Sequence, residues 1–430
     1  MTKKYEANWE ALNSAPVPAW FNEAKLGLYI FWGPYSVPAY HPGSGYAEWF
    51  GNSDYGKEFI MKNYGENFIY EDFADMWKGE LWDPEKWVDF FVQSGAKYII
   101  VVAKYHDGFC LFPTQCDNRT VNRDKWNSID RGPKRDILGE LFTAGKKRGL
   151  KMGIYLSIYE WWHPLWVNRE NRERYVNEVL HPQFKQVITQ YEPCFVFMDG
   201  DWEADDETFK SRELVAWLLN ESPVKDFVAF NDRWGQSRGV NGMIFNMEFG
   251  GGEGCIGHAW QEDRSICPTY GYNRNLDITR YETPEQIIAM LAKCASKGGN
   301  LILDVGPSAD GLIPVIYQDR LLQLGKWLEI NGEAIYGTQC WNTTCQGEEL
   351  LYTKKDDDLY AISLKWPGKE LALHDIKKIS DFKITMLGCG QILNWRLEND
   401  GLHINVPQLT IDQLPCQYAW VIKITGAAIV

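Results

Sequence analysis

Paired cysteines, basic runs, a dinucleotide fingerprint and long apolar stretches are all missing from this sequence. Its ten cysteines show neither a C-x-x-C pair nor a zinc-like spacing, and no secretory apolar segment follows Met1. Free thiols in a reducing cytoplasm are therefore expected. The longest apolar runs, such as Tyr98 to Ala103, fall far short of the ~20 residues of a membrane span, so no membrane partner is expected. Cations are outnumbered, with 44 Lys plus Arg against 58 Asp plus Glu and a formal charge of −14. Phosphate backbones are bound by clustered cations, which argues against a nucleic-acid partner. Histidine is scarce at seven residues. Aromatics are abundant instead: 20 Trp, 22 Tyr and 20 Phe make 14% of the 430 residues, which excludes a disordered or fibrous chain.

Short β-rich apolar runs alternate with segments of helical length through about the first 340 residues, the pattern of parallel βα units. Candidate strands are Gly27 to Trp32, Lys97 to Ala103, Lys151 to Leu156, Cys194 to Met198, Val228 to Asn231, Met243 to Asn246 and Leu301 to Val305. Helix candidates include Pro84 to Gly95, Lys134 to Gly149, Trp166 to Tyr191, Asp206 to Leu219, Thr283 to Lys297 and Ile316 to Asn331. With an eighth strand placed in the irregular stretch from Gly250 to Tyr270, the fold class is α/β, a (β/α)₈ TIM-like barrel. Beyond Tyr336, alternating strands separated by Gly, Asp and Asn turns read as a small antiparallel β-sandwich. The expected domains are a catalytic barrel over 1–337 and a C-terminal sandwich over 338–430.

In such a barrel the reactive groups gather where strands end, because the βα loops converge over one mouth. Asp199 directly follows the apolar string Cys-Phe-Val-Phe-Met. Capping of the next helix is the competing structural reading. Glu248 lies within Phe-Asn-Met-Glu-Phe, among apolar residues that disfavour its charged form. Two carboxylates of unlike environment are what glycosidic cleavage requires, one to attack and one to donate a proton. Indole walls suit the apolar faces of sugar rings, although core packing is expected for most tryptophans, including Trp77, Trp87, Trp217 and Trp327.

The strings Ala24-Lys25-Leu26-Gly27, Trp32 to Ala39, Ala47-Glu48-Trp49-Phe50 and Ala103 to Phe109 then become informative. So do Met198-Asp199-Gly200-Asp201-Trp202, Asn231-Asp232-Arg233-Trp234-Gly235, Gly271 to Asn275 and Gly298 to Pro314. From Trp20 to about Thr338 the chain resembles family 29 of the glycoside hydrolases, the retaining α-L-fucosidases. The resemblance implies that Asp199 is the nucleophile of a covalent glycosyl-enzyme intermediate and that Glu248 is the acid/base, with Glu253 and Glu262 as rivals. It further implies that Glu48, Trp49, His106 and Arg233 hold the sugar. Trp32, Trp49, Trp202 and Trp234 are expected to shape the pocket. No cofactor and no metal are implied, and the partner would be a fucosylated oligosaccharide or glycoconjugate. The acidic charge and long aromatic-rich loops are compatible with a homo-oligomer.

Three positions depart from the family pattern. Phe31 stands where the family usually has the histidine of Ile-His-Trp-Gly, Tyr105 replaces the first histidine of His-His-Asp-Gly, and Leu156 is aligned with a frequent tyrosine of the third strand. A buried sugar hydroxyl left without its partner costs about 1–3 kcal/mol, so these positions bear on which sugar is accepted. The expected activity is exo-hydrolysis of terminal α-L-fucosyl residues with retention. A related glycone, such as an α-L-galactoside or a modified fucose, is the alternative, and a carbohydrate-binding relic without turnover is a third reading.

Overall fold

The computed structural model describes residues 4–250, 257–374, 376 and 383–427. Eight parallel strands form the N-terminal unit: β1 (Leu26–Ile30), β2 (Tyr98–Lys104), β3 (Lys151–Ser157), β4 (Phe195–Asp199), β5 (Ala229–Phe230), β6 (Phe245–Glu248), β7 (Trp260–Ser265) and β8 (Asn300–Val305). They run in the order β5-β4-β3-β2-β1-β8-β7-β6. A parallel bridge between Asn231 and Ile244 joins the two ends, with the Ile244 N–H donating to the Phe230 carbonyl at 3.0 Å, so the sheet closes on itself. The strand deferred to Gly250 to Tyr270 is β7. It escapes a periodicity reading because Trp-Gln-Glu-Asp-Arg-Ser is polar, yet five of its six residues are buried.

Helix starts follow their capping chemistry. The Asp83 side chain accepts from the Glu85 and Lys86 N–H groups ahead of Pro84–Gln93, and Thr283 with Gln286 forms a capping box ahead of Pro284–Ser296. Two long helix expectations are broken into pieces. The Trp166 to Tyr191 stretch becomes Pro164–Val167, Arg172–Tyr175, a widened π turn over Val176–Leu180, and His181–Tyr191. Pro182 lacks the N–H a regular helix would use and crowds the preceding turn, which accounts for the widening. The Asp206 to Leu219 stretch divides at Lys210, whose φ of 52° is left-handed.

The C-terminal unit pairs β9 (Gln339–Gln346), β10 (Leu350–Lys355), β11 (Asp358–Ser363), β13 (Lys383–Met386) and β16 (Trp420–Thr425) in one antiparallel sheet. A second sheet holds β12 (Glu370–Leu373), β14 (Trp395–Glu398) and β15 (Gly401–Asn405). Leu359, Ile384 and Ile422 from the first sheet and Leu373, Leu402 and Ile404 from the second share one core. The opposite face of the larger sheet lies on the barrel, through Leu351, Ile362 and Val421, and the Trp327 indole donates to the Ala419 carbonyl at 2.9 Å.

Eight described cysteines are free, but Cys340 is disulfide-bonded, which departs from the expectation of free thiols throughout. Disulfides belong to oxidising compartments. No described helix is long and apolar enough to cross a membrane.

Trp32 corrects another expectation. Its ring is buried against Trp77, Trp82 and Trp87 at centroid distances of 4.7, 5.5 and 5.1 Å, and its N–H donates to the Ser308 carbonyl, so it is core rather than pocket wall. Trp32→Ala should leave a cavity costing about 3–5 kcal/mol. Urea unfolding measures this, and a loss below about 1 kcal/mol would contradict the packing role.

Candidate active site

The strand ends open on a cavity of about 270 Å³. Alternation along each strand decides what reaches it, since residues i and i+2 share a face. On β3 and β4 the inward set is Tyr155, Ser157, Phe197 and Asp199, and the register pairs Tyr155 with Phe197 and Ser157 with Asp199. Asp199 is 8% exposed at the end of β4. Its Oδ1 accepts from Arg233 Nη1 at 2.7 Å, and its Oδ2 accepts from the Tyr155 hydroxyl at 2.8 Å and faces His106 Nε2 at 3.5 Å. Burial alone would raise its pKa, but the Arg233 charge and the His106 contact overcome burial and hold the carboxyl well below the usual range. Helix capping, the competing reading of Asp199, is excluded by these contacts.

Arg233 reaches this position because its neighbours pin the backbone. The Asn231 amide bonds both the N–H and the C=O of Met198, at 3.0 and 2.8 Å, tying β5 to β4 one residue before Asp199. Asp232 accepts from the Gly239 and Asn246 N–H groups at 2.7 and 3.2 Å, tying the same turn to β6. Trp234 is fully buried against Phe184 and Phe230, and its indole N–H returns to the Asn231 carbonyl at 2.7 Å. Trp234 is thus an anchor and not a pocket wall, contrary to expectation. Gly235 has φ 102°, and a Cβ there would lie 2.7 Å from the Asp205 backbone, so the turn requires glycine.

The second terminal nitrogen of Arg233 donates to Glu248 Oε2 at 2.9 Å, so one guanidinium holds both carboxylates. Tyr46 donates to Glu248 Oε1 at 2.9 Å and Arg238 approaches at 3.8 Å. The surroundings of Glu248 are therefore ionic and half-buried rather than apolar. Its rival Glu262 points away from the cavity, on the opposite face of β7 from the inward Asp263. Glu253 lies outside the described residues.

His106 is held in one orientation. The Ser157 hydroxyl donates to the Tyr159 carbonyl at 2.6 Å, so it accepts from His106 Nδ1–H at 2.6 Å, which turns Nε2 toward Tyr155 and Asp199. Glu48 accepts from the Gly271 N–H at 2.8 Å and the Thr269 hydroxyl at 3.2 Å. Trp49 stacks on Trp202 at 6.2 Å, and Trp202, 43% exposed, forms the rim. Phe31 and Tyr105 both line the cavity, with rings 5.7 Å apart.

Leu156 does not reach the cavity. It is fully buried on the outward face of β3, and Tyr155 is the inward tyrosine, so the alignment was one residue out of phase. Tyr29, Tyr46, Tyr155, Arg238, Asp263 and Tyr270 line the pocket without having been expected there. For Tyr29 the signal was present, since it lies two residues before Phe31. A larger groove of about 630 Å³, lined by Pro16, Asn220, Phe227, Val228 and Met243, sits at the opposite end of the strands. Val228 and Met243 precede β5 and β6, away from the face where barrel chemistry is built.

Burial, partly offset by the Gly271 and Thr269 hydrogen bonds, pushes the Glu48 carboxyl up to about 7. A carboxyl raised on folding contributes stability that is full below its unfolded pKa and is lost as pH rises through 7. Glu48→Gln should therefore be more stabilising, relative to wild type, at pH 8 than at pH 5, by roughly 1–3 kcal/mol. Chemical denaturation at both pH values reads the difference, and equal effects would contradict the assignment.

The comparisons agree along the whole chain. The family described as alpha-L-fucosidase matches residues 1–333, and the alpha-L-fucosidase C-terminal domain matches residues 342–425. The tissue alpha-L-fucosidase of Homo sapiens is 39% identical over 99% of this chain and 92% of its own length. The plasma alpha-L-fucosidase of Homo sapiens is 37% identical over 98% and 93%. Among solved structures, the Thermotoga maritima alpha-fucosidase in complex with fucose superimposes with a TM-score of 0.82 at 31% identity, covering 98% of this chain and all of that one. A second complex of that enzyme, with a mechanism-based inhibitor, gives 0.83 at 32% identity, with the same coverage. The chain belongs to the α-L-fucosidases, family 29 of the glycoside hydrolases.

Proposed function

We propose that the protein hydrolyses terminal α-L-fucosyl residues of oligosaccharides or glycoconjugates with net retention, through a covalent glycosyl-aspartate. The observation that carries this reading is the single Arg233 guanidinium shared by Asp199 and Glu248. It supports a close pair of carboxylates, and retaining glycosidases work with a separation of about 5–5.5 Å. Asp199 is the nucleophile, kept anionic in a desolvated site by Arg233 and His106.

In the first step an Asp199 oxygen attacks the anomeric carbon while Glu248 gives its proton to the departing glycosidic oxygen. In the second, Glu248 takes a proton from water as that water attacks the same carbon, the Asp199–sugar bond breaks, and fucose leaves. Half-burial suits Glu248 to exchanging a proton with solvent between the steps, whereas the enclosed Asp199 is shielded from it. Glu48, His106 and Arg233 hold sugar hydroxyls, Trp49 and Trp202 face the ring and the aglycone, and Phe31 and Tyr105 close the far wall.

With an aryl α-L-fucoside, Glu248→Ala should lower the rate by about 10²–10⁴-fold. Asp199→Ala should abolish turnover. Azide should rescue either variant as a fucosyl azide, of inverted configuration from Asp199→Ala and retained configuration from Glu248→Ala. Proton NMR of the wild-type reaction should show the α-anomer first. Initial release of the β-anomer would overturn the retaining step, and wild-type turnover no greater than that of the two variants would sink the activity.

A further inference from the structure

The two oxygens of Glu248 keep unlike company. Oε2 accepts from Arg233 Nη2 at 2.9 Å and faces Arg238 Nη1 at 3.8 Å. Guanidinium groups only donate, so a proton on Oε2 would be set against theirs. Oε1 instead accepts from the Tyr46 hydroxyl at 2.9 Å. The proton that an acid must carry therefore belongs on Oε1, and Tyr46 is the described side chain that touches this oxygen.

Tyr46 is built into the site. It directly precedes the 3₁₀ turn Ala47–Asn52, which carries Glu48 and Trp49. Its carbonyl accepts from the Tyr55 hydroxyl at 3.0 Å and from the Trp49 N–H at 3.2 Å. The Ala47 N–H donates to Thr269 Oγ1 at 2.9 Å, and the Tyr46 ring packs on Tyr270 at 5.4 Å. One short segment thus carries both the sugar-facing residues and the hydroxyl that meets Glu248. Burial and the Glu248 charge push the Tyr46 phenol well above its ordinary value, so it stays a donor and cannot itself serve as the acid.

We propose, resting on the acid/base reading of Glu248 given above, that Tyr46 is a positioning residue for the proton transfer: it fixes Oε1 as the oxygen that gives up the proton and stabilises the charge left there. As an Asp199 oxygen bonds to the anomeric carbon and the bond to the glycosidic oxygen breaks, the Oε1 proton passes to that oxygen. The Tyr46 hydrogen bond then turns from neutral to charge-assisted, which roughly doubles its strength. This gain arises in the transition state and not on substrate binding, so it lowers the barrier. In the second step water attacks the same carbon, its proton goes to Oε1, the Asp199–sugar bond breaks, and the Tyr46 contact is neutral again.

Such a role depends on the leaving group. kcat/KM is measured for 4-methoxyphenyl α-L-fucoside, whose oxygen needs the proton as it leaves, and for the 2-chloro-4-nitrophenyl compound, whose phenolate leaves unaided. Tyr46→Phe should lower the first about tenfold or more and the second less than about threefold. Glu248→Ala should show the same pattern on a larger scale. Calorimetry should find L-fucose bound by Tyr46→Phe within about threefold of wild type. Equal losses on the two glycosides, no loss on either, or a loss of fucose affinity as large as that of kcat/KM overturns the role of Tyr46 while leaving the acid/base reading intact. If Glu248→Ala loses both glycosides alike, Glu248 is not the acid and the role of Tyr46 falls with it.

Discussion

One buried cation organises the mouth of this barrel. Arg233 carries the charge that lets Asp199 stay ionised away from water, and the same group fixes where Glu248 can lie. Removing one member of a buried ion cluster typically costs about 3–5 kcal/mol, because the remaining charges are left uncompensated. The chain therefore invests heavily in holding that side chain still. Asn231 locks its strand to β4, Asp232 ties the turn to β6, and Trp234 plugs the core behind it. The Asn231–Ile244 bridge that closes the barrel lies in the same few residues, so barrel closure and the electrostatics of the site share one structural cause.

Around this ionic centre the walls are largely aromatic. Phe31 packs edge to face on Tyr105 and tilted on Tyr155 beside Asp199, and Trp49 and Trp202 form the outer layer. Such walls present low dielectric to the charges they enclose, which strengthens every interaction among them. They also leave the number of hydrogen-bonding positions small, so each one weighs heavily in selecting the sugar. The replacement of an expected histidine by Phe31 is therefore a change in the hydrogen-bonding inventory of the pocket more than in its shape.

Much of the barrel was legible in the sequence because buried parallel strands are continuous apolar runs, as in Phe195–Asp199, and because capping residues mark helix starts. Asp199, Glu248, Arg233, His106, Glu48 and Trp49 were legible as polar residues following such runs or lying in recurring strings, and the structure brings them to one cavity. The failures have a common form. Leu156 and Glu262 were assigned without phase, and a one-residue error on a strand moves a side chain to the other face. Asp263 was invisible because its strand carries four polar residues that are buried only in the closed barrel. Trp32 and Trp234 sit in informative strings, but their work is to hold backbone, which a string cannot distinguish from touching a ligand.

The same two-residue period separates chemistry from selectivity. Beneath each residue at the mouth lies the inward residue two positions earlier: Phe197 under Asp199, Tyr29 under Phe31, Tyr155 under Ser157. The upper layer carries the Asp199 carboxylate, and the lower layer is aromatic, with hydroxyls at Tyr29 and Tyr155. Tyr155 spends its hydroxyl on Asp199, whereas Tyr29 keeps its own unengaged. A substitution in the lower layer can therefore alter which sugar substituents find partners while the Arg233-centred pair above it stays in place. An unchanged reaction with a shifted glycone is what a barrel built in two such layers permits, and the departures at Phe31 and Tyr105 leave the Arg233, Asp199 and Glu248 cluster in place.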